Sequence, residues 1–149
     1  MSVRIVREAR REDREAWGRL YTAYAEFYGT AQDEAMRERV WSWIFDPAQS
    51  VEALVAEVNG ELVGLAHFRA FIRPLSATKA GFLDDLFVAE PERGAKIGEA
   101  LIAAVAEIGR AREWSVIRWL TAENNYRARA LYDHVATPTS WRVYDMKLG

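Results

Sequence analysis

The segment that says most about this chain is Leu86-Phe-Val-Ala-Glu-Pro-Glu-Arg-Gly-Ala-Lys-Ile-Gly98. An apolar strand at 81–88 leads into it, and the apolar residues that follow recur at the spacing of an amphipathic helix over 97–112. Backbone amides at a helix N-terminus and the helix dipole attract anions, and glycine lets a phosphate approach the backbone. Arg93 and Lys96 add positive charge. The segment therefore indicates a phosphate site, although a glycine-containing helix start is more often an ordinary turn.

The composition is that of one globular domain. Of 149 residues, 50% are hydrophobic and 28% charged, so we expect a single domain over 1–149. Six Trp, six Tyr and six Phe supply enough apolar surface for a core without disulfides or metals. The absence of cysteine excludes a disulfide scaffold, thiolate zinc ligation and a cysteine nucleophile. His67 and His134 are too few for a histidine-based metal cluster, and we expect no metal.

Charge and hydropathy narrow the choice of partners. The formal net charge of -2 lacks the basic surplus typical of nucleic-acid binding, so neutral or cationic small partners are favoured. The N-terminus Met1-Ser-Val-Arg-Ile has no long apolar run, and no stretch approaches the roughly 18 apolar residues that a membrane span needs. We therefore expect a cytoplasmic protein that binds neither nucleic acid nor membrane.

Local patterns predict an α+β order of elements. Val3 and Ile5 favour a short edge strand, and Asn59-Gly60 is the dipeptide preferred in two-residue hairpin turns. A loop is predicted at 74–79. The other predicted strands are at 51–58, 61–71, 81–88, 115–120 and 141–148. Helices are predicted at 17–28, 97–112 and 125–134, and one more helix is predicted to begin at its cap Asp33 and to end before Asp46-Pro47. A mixed sheet with flanking helices follows.

A second motif lies downstream, Asn125-Tyr-Arg-Ala128-Arg-Ala-Leu131-Tyr132. Together with the Leu86–Gly98 segment it resembles the R-x-x-G-x-G/A and N-x-x-A-x-x-L-Y motifs of the GNAT superfamily of N-acetyltransferases, nearest the branch of the yeast histone-and-other-protein acetyltransferases and their bacterial relatives. The resemblance implies the GNAT fold: a mixed, mostly antiparallel central sheet, splayed at the acetyl-CoA site and flanked by helices. Lys96 stands where the motif has its first glycine, so its side chain either crowds the coenzyme pyrophosphate or pairs with a phosphate.

The resemblance also implies which residues bind acetyl-CoA. Asn125 and Ala128 would lie beside the pantetheine arm, and Tyr132 near the sulfur, where its hydroxyl can protonate the leaving thiolate as general acid. The arm would lie along the strand backbone as an added strand does, and the pyrophosphate would bind the amides of the loop. The residues concerned are Leu86, Phe87 and Val88 for the arm, and Arg93, Gly94, Ala95, Lys96, Ile97 and Gly98 for the pyrophosphate. From the residues alone, a tyrosine on an amphipathic helix is more often core packing.

Four residues are candidates for the acceptor amine. An alkylammonium group must lose a proton before it attacks a carbonyl, so a carboxylate is useful as base or anchor. Asp84 and Asp85 are adjacent on a strand, so alternation predicts that one of them faces the pocket, and which one stays open. Either one could instead cap a turn or pair with an arginine. Tyr24 and Tyr28 share a helix face and would offer aromatic walls to a cation, unless they are core residues. His67 could line the pocket, but a lone strand histidine is more often structural or exposed.

The implied function is transfer of an acetyl group from acetyl-CoA to a primary amine by direct attack in a ternary complex. A polyamine, a small amino compound or a protein lysine would be the acceptor. The alternative is a non-catalytic acyl-CoA-binding or regulatory interaction module, which Lys96 in the coenzyme loop would favour. Relatives in the superfamily commonly pair through C-terminal strands, so a homodimer contact through Trp141, Val143 and Tyr144 is also expected.

Overall fold

The central feature is a sheet of five strands, seen in a computed structural model that describes residues 4–89 and 96–149. In spatial order, which is also chain order, the strands are β1 (Arg4–Glu8), β2 (Val51–Val58), β3 (Glu61–Arg73), β4 (Thr78–Val88) and β5 (Ile117–Trp119). Pairing is antiparallel from β1 to β4 and parallel between β4 and β5. The predicted α+β fold with a mixed, mostly antiparallel sheet is therefore confirmed.

Helices cover both faces of this sheet. They are α1 (Arg14–Phe27), α2 (Glu34–Ile44), α3 (Ile97–Ala111) and α4 (Tyr126–Val135), with a short 3-10 turn at Arg11–Asp13. One buried cluster joins α1 and α2 to the sheet and comprises Trp17, Leu20, Tyr21, Trp41, Leu65 and Phe87. A second joins α3 to the sheet and comprises Leu54, Ala56, Val63, Ala66, Phe68, Leu83, Ile97, Leu101, Ile102 and Val105. The strand neighbours Leu65 and Ala66 enter different clusters, as the alternation of side chains along a strand requires.

Local sequence explains several element ends. Asp33 caps α2, since its side chain accepts a 2.8 Å hydrogen bond from the backbone N–H of Met36. Asn59 and Gly60 join β2 to β3 with φ angles of 52° and 86°, the left-handed conformation that a two-residue hairpin turn of this type needs. The strand predicted at 51–58 and its turn are confirmed.

The hairpin of β3 and β4 is longer than the sequence predicts. β3 continues to Arg73 and β4 begins at Thr78, inside the segment predicted as a loop. Phe71 and Phe82 pack across the two strands, with ring centroids 6.2 Å apart. Aromatic packing between strands stabilises a sheet, and the pairing continues beyond these rings through Ile72 with Lys79 and Arg73 with Thr78.

A β-bulge interrupts this same hairpin at the two adjacent carboxylates. His67 pairs with Asp85, but the next residue of β3, Phe68, pairs with Leu83. Asp84 is therefore the additional residue of the bulge, and bulges locally disturb the alternation of side chains. Simple alternation, on which the prediction for the two aspartates rested, does not describe this part of β4.

The strand predicted at 141–148 is absent: residues 137–149, which are all described, form neither helix nor strand. The exposed fractions of Trp141, Tyr144 and Leu148 are 82%, 87% and 93%. An alternating apolar pattern shows which side chains a strand would bury, but a strand also needs a neighbour for its backbone hydrogen bonds. β5 is also shorter than its predicted range of 115–120.

Candidate active site

A chain of hydrogen bonds crosses the interior between α1, β3 and β4. The indole Nε1 of Trp17 donates to Nε2 of His67 over 2.9 Å. Nδ1 of His67 lies 2.8 Å from Oδ2 of Asp85, and the hydroxyl of Tyr21 donates to the same oxygen over 2.9 Å. The sheet brings these groups together because His67 and Asp85 are directly paired across β3 and β4. Asp85 thus faces the helix α1.

The partners of His67 fix the position of its proton. The exposed fractions of Trp17 and His67 are 0% and 1%, so water does not compete for these groups. An indole N–H can donate but not accept, so Nε2 of His67 must be the accepting, unprotonated nitrogen. Nδ1 then carries the proton and donates it to the carboxylate of Asp85.

Asp85 is held as an anion. Burial by itself raises the pKa of this carboxyl group, but hydrogen bonding to His67 opposes that effect, with further hydrogen bonds from Tyr21 and Tyr24. The net pKa of Asp85 lies below its ordinary value. Conversely, burial and the charge of Asp85 raise the pKa values of Tyr21 and Tyr24, so both phenols keep their protons.

Asp84 has a different environment from its neighbour. Nε of Arg69 donates to both of its carboxylate oxygens, over 3.1 and 3.0 Å. Burial raises the pKa of Asp84 above its ordinary value, although the charge and hydrogen bond of Arg69 act against this. The two adjacent carboxylates therefore differ in the direction of their pKa shifts, since one is paired with arginine and the other with the His67 chain.

Aromatic rings of α1 extend from Asp85 towards the surface. Ring centroids of Tyr21 and Tyr24 lie 5.9 Å apart, and those of Tyr24 and Tyr28 lie 5.0 Å apart. Phe87 of β4 meets Tyr24 edge-on at 5.7 Å. Exposure rises along this row, from 9% at Tyr21 to 46% at Tyr28. The expected common face of Tyr24 and Tyr28 is present, and it forms an aromatic wall whose inner end is Asp85.

Tyr132 lies on α4, beside the last strand of the sheet. Its ring packs edge-on against Trp119 of β5, with centroids 5.4 Å apart. Burial, with a smaller electrostatic contribution from Tyr28, raises the pKa of Tyr132 to about 12. The phenol therefore stays protonated near neutral pH, which is the state that a general acid needs.

On the coenzyme side, the sheet opens where the sequence motif predicts the pantetheine arm. β4 pairs with β5 through Gly81–Leu83, and then continues to Val88 as a partner of β3. Gly98 at the start of α3 is so placed that a Cβ there would lie 3.5 Å from Leu131 of α4 and 3.8 Å from Val88. β4, α3 and α4 therefore converge at this opening, beside Leu86, Phe87 and Val88.

The basic loop is described at its last residue before α3. Lys96 is the N-cap of this helix and adopts the left-handed conformation, with φ 63° and ψ 21°. That conformation is the one glycine adopts without penalty, which matches the glycine expected at this place in the motif. The residues Arg93, Gly94 and Ala95 lie outside the described ranges.

Asn125 and Ala128 form the start of α4. The side chain of Asn125 accepts a 3.3 Å hydrogen bond from the backbone N–H of Ala128. Asparagine is a preferred N-cap residue, and the three-residue spacing from Asn125 to Ala128 in this motif is the spacing that the cap requires. This capping orients α4, which carries Tyr132.

Sequence reasoning considered His67 for the pocket but did not connect it with Trp17, Tyr21 or Asp85. Trp17 and His67 are separated by 50 residues in the chain, and their meeting depends on how α1 docks on the sheet. The available signal was weak: Trp17 and Tyr21 belong to one apolar helix stripe, and His67 interrupts an otherwise apolar strand.

Within 4–89 and 96–149, no group of three or more His, Cys, Asp or Glu side chains is arranged to hold a metal ion. Within the same ranges, no helix combines the length and the apolar character that crossing a membrane requires.

Comparisons with known proteins agree with this geometry. A sequence profile of the acetyltransferase (GNAT) family matches residues 17–136. The D-amino-acid N-acetyltransferase of Saccharomyces cerevisiae is 25% identical over 142 residues, which cover 94% of this chain and 88% of that protein. The structure of a ribosomal-protein-alanine N-acetyltransferase from Brucella melitensis biovar Abortus gives a TM-score of 0.82 at 25% identity, covering 98% of this chain and 99% of that one.

A further solved structure agrees in fold. An aminoglycoside N-acetyltransferase in complex with CoA gives a TM-score of 0.82 at 17% identity, covering 99% of this chain and 96% of that one. The family profile spans most of the present chain, including α1, the bulged strand β4 and the helix of Tyr132. The chain therefore belongs to the acetyltransferase (GNAT) family and is an acetyl-CoA-dependent N-acetyltransferase.

Proposed function

We propose that this enzyme transfers the acetyl group of acetyl-CoA directly to a primary amine that enters along the Tyr24–Tyr28 wall as an ammonium ion. The observation that carries the proposal is the carboxylate of Asp85, which His67 and Tyr21 hydrogen-bond at the inner end of that wall. A carboxylate and aromatic faces together attract a cation, and both are present on one side of the sheet. The donor and the acceptor are then bound at the same time, on the two sides of β4.

The two aspartates take different parts in this proposal. Asp85 anchors the ammonium group, because a carboxylate with a lowered pKa is a good anion but a weak base. Asp84, whose pKa burial raises, is the better proton acceptor of the pair. After the ammonium loses its proton to Asp84, directly or through water, the amine nitrogen attacks the thioester carbonyl carbon.

The second half of the reaction breaks the carbon–sulfur bond. After it bonds to the carbonyl carbon, the attacking nitrogen carries a positive charge and a second proton. When the sulfur leaves as a thiolate, the hydroxyl of Tyr132 gives it a proton, and the proton that the nitrogen loses through solvent restores the phenol. The proton on Asp84 passes to solvent. The raised pKa of Tyr132 supports this role because it keeps the phenol protonated until a strong base is formed beside it. The products are the N-acetylated amine and CoA.

Binding of acetyl-CoA is proposed for the opening beside β4. The pantetheine arm would lie along Leu86–Val88, near Asn125 and Ala128 at the start of α4. The pyrophosphate would bind at the N-terminus of α3, on the amides of Lys96, Ile97 and Gly98 and of the preceding Arg93, Gly94 and Ala95. The helix dipole and the exposed backbone amides of a helix start supply the attraction.

We propose that the acceptor is a small amino compound, a polyamine or a protein amine. The relatives named above act, by their names, on D-amino acids, on a ribosomal-protein alanine and on aminoglycosides. A site with an anionic anchor and aromatic walls suits any amine whose reactive end is narrow. A coenzyme-binding module without turnover is the alternative that the Lys96 side chain suggests from the sequence, and the thiol-release assay distinguishes it from the enzyme.

Release of free thiol from acetyl-CoA tests this proposal. The chain contains no cysteine, so the enzyme itself adds no thiol background. We expect release that depends on the amine, measured against spermidine, lysine peptides, D- and L-amino acids and aminoglycosides, with no added amine as control. Binding of acetyl-CoA without release for any amine would favour the module instead.

We also propose a homodimer that buries the C-terminal segment. Trp141, Val143 and Tyr144 are 82%, 63% and 87% exposed in the single chain, and contiguous exposed apolar surface is typical of an interface. Sedimentation should give twice the mass of one chain. Replacing Trp141 and Tyr144 with serine should give the single-chain mass, whereas a monomeric parent protein would contradict the proposal.

A further inference from the structure

The buried chain from Trp17 to Asp85 has a purpose beyond packing. We infer that His67, held in one orientation by the indole of Trp17, is a positioning residue that fixes the carboxylate of Asp85 for the incoming amine. This inference rests on the proposed function, because it concerns how the proposed anchor is held. It assigns roles to Trp17 and His67, neither of which reaches the substrate.

The first step is that packing fixes the direction of the Trp17 indole. Its ring lies 4.7 Å from that of Trp41 in α2 and 5.2 Å from that of Tyr21. The side chain is fully buried, at 0% exposure. A large ring enclosed on several sides keeps one rotamer, so its N–H points constantly at Nε2 of His67.

The second step is that His67 has no spare nitrogen for chemistry of its own. Nε2 accepts from Trp17, and Nδ1 donates to Asp85. The ring is 1% exposed, so it cannot exchange protons with a substrate directly. Its hydrogen bond outside the pair with Trp17 is therefore the one to the carboxylate of Asp85.

The third step concerns the carboxylate itself. His67 and Tyr21 both bind Oδ2, from β3 and α1 respectively. Two donors on one oxygen fix the plane of the carboxylate as well as its charge. The side chain of Asp85 nevertheless keeps 20% of its surface exposed, so a small cation can reach it. The other titratable groups facing Asp85 are the phenol of Tyr24 from α1 and Asp84 from its own strand.

The test compares two substitutions of His67 in the thiol-release assay. His67→Leu removes the donor, and we expect the KM for the amine to rise about tenfold or more, as for loss of a hydrogen bond to a charged group. His67→Asn retains an N–H near the position of Nδ1, so it should recover most of that loss. The Kd for acetyl-CoA should be the same in both variants.

The pH profile separates positioning from general damage. Asp85 must be ionised to bind an ammonium ion, so binding of the amine weakens as the pH drops through the pKa of Asp85. Without the donor of His67 that pKa rises. The acid side of the profile of 1/KM for the amine, which reports binding and not proton transfer to Asp84, should therefore move to higher pH in His67→Leu and return in His67→Asn. A uniform loss of activity at all pH values would overturn the inference.

A matched pair of tryptophan variants isolates the hydrogen bond from the packing. Trp17→Phe removes the indole N–H, and Trp41→Phe removes a similar volume from the ring beside it. We expect the acid side of the profile to move in Trp17→Phe and to stay in place in Trp41→Phe. Equal behaviour of the two variants would mean that Trp17 only packs.

The position of the proton is measurable without turnover. The chain has two histidines, so His134→Gln leaves His67 as the single source of imidazole nitrogen signals. Nitrogen-15 NMR should show the neutral ring protonated at Nδ1 in this variant, and a ring protonated at Nε2 would overturn the inference.

If the parent enzyme binds acetyl-CoA but acetylates no amine, the proposed function and the inference both fail. If the parent enzyme is active, and His67→Leu has the same KM for the amine and the same pH profile as the parent, the inference alone fails.

Discussion

Replacing Lys96 with glycine should make the protein more stable. The backbone at Lys96 is left-handed, with φ 63° and ψ 21°. A residue with a Cβ in this conformation costs about 1–2 kcal/mol, whereas glycine adopts it freely. Glycine also gains freedom in the unfolded chain, which offsets about 0.4–1 kcal/mol of the benefit. The net expectation is a free energy of unfolding higher by about 0.5–1 kcal/mol, or a Tm higher by about 1–4 °C for a chain of this length.

The same substitution tests the coenzyme loop. If the side chain of Lys96 crowds the pyrophosphate, the Kd for acetyl-CoA should stay the same or fall in Lys96→Gly. If its charge is instead used to bind a phosphate, the Kd should rise by about tenfold or more. Lys96→Gln keeps a long side chain without the charge, so it distinguishes loss of charge from loss of bulk.

Urea unfolding and calorimetric titration with acetyl-CoA measure these two effects. Ala77, in the turn between β3 and β4, has a φ of 55°, and Ala77→Gly is therefore a matched control without a change in charge. It should stabilise the protein to a similar degree and leave coenzyme binding alone. If Ala77→Gly is more stable and Lys96→Gly is less stable than the parent, the strain argument for Lys96 is wrong.

Three further predictions concern single side chains. Tyr132→Phe should lower kcat by about 10²–10⁴-fold, because the thiolate loses its proton donor, while the Kd for acetyl-CoA in a titration stays nearly the same. Asp85→Asn should lower the free energy of unfolding at neutral pH by about 1.5–3 kcal/mol, since it breaks charge-assisted hydrogen bonds. Gly81→Ala should cost about 1–3 kcal/mol in urea unfolding, because the new Cβ would lie 2.4 Å from the ring of Trp114.

Each of these predictions has an outcome that contradicts it. Equal losses of kcat and of coenzyme affinity in Tyr132→Phe would mean that the phenol shapes the pocket without donating a proton. Folding lowers the pKa of Asp85. The carboxylate therefore contributes to the free energy of unfolding above its ordinary pKa near 3.8, and this contribution is lost as the pH falls through the lowered pKa of the folded protein. The stability of Asp85→Asn should not show this loss in acid. If its stability depends on pH in the same way as that of the parent protein, Asp85 is not a carboxylate with a lowered pKa. A fully stable Gly81→Ala would mean that Trp114 relocates freely.

Much of the fold follows from patterns that are local in the chain. The turn at Asn59-Gly60, the cap at Asp33 and the apolar stripe of α3 each depend on residues within a few positions of one another, and all three are present. The resemblance to the GNAT motifs adds the mixed, mostly antiparallel character of the sheet. Strands that depend on a distant neighbour were predicted less well, as 141–148 shows, because the sequence pattern carries no information on the pairing partner.

The site divides in the same way. Tyr132 and Asn125 belong to a contiguous motif and were identified by it. The link from Trp17 to His67 joins α1 to β3, and it depends on helix docking and on strand register. The bulge at Asp84 is a tertiary feature as well, and it gives the two aspartates their different partners. Sequence adjacency therefore identified the pair but could not distinguish its members.

The short pairing of β5 with β4 has a consequence for how the molecule opens. β5 is joined to the sheet through Gly81–Leu83, and all ten residues of α4 are exposed or half-buried. Segments with little buried apolar surface undergo local unfolding at a lower free energy than the core, and amide exchange is faster there. A ligand bound across β4 and α4 stabilises the folded state of these segments by mass action, by about 2.7 kcal/mol when the free ligand concentration is one hundred times the Kd. If acetyl-CoA binds across β4 and α4 as proposed, it holds β5 and α4 in place together with Tyr132, the proposed general acid.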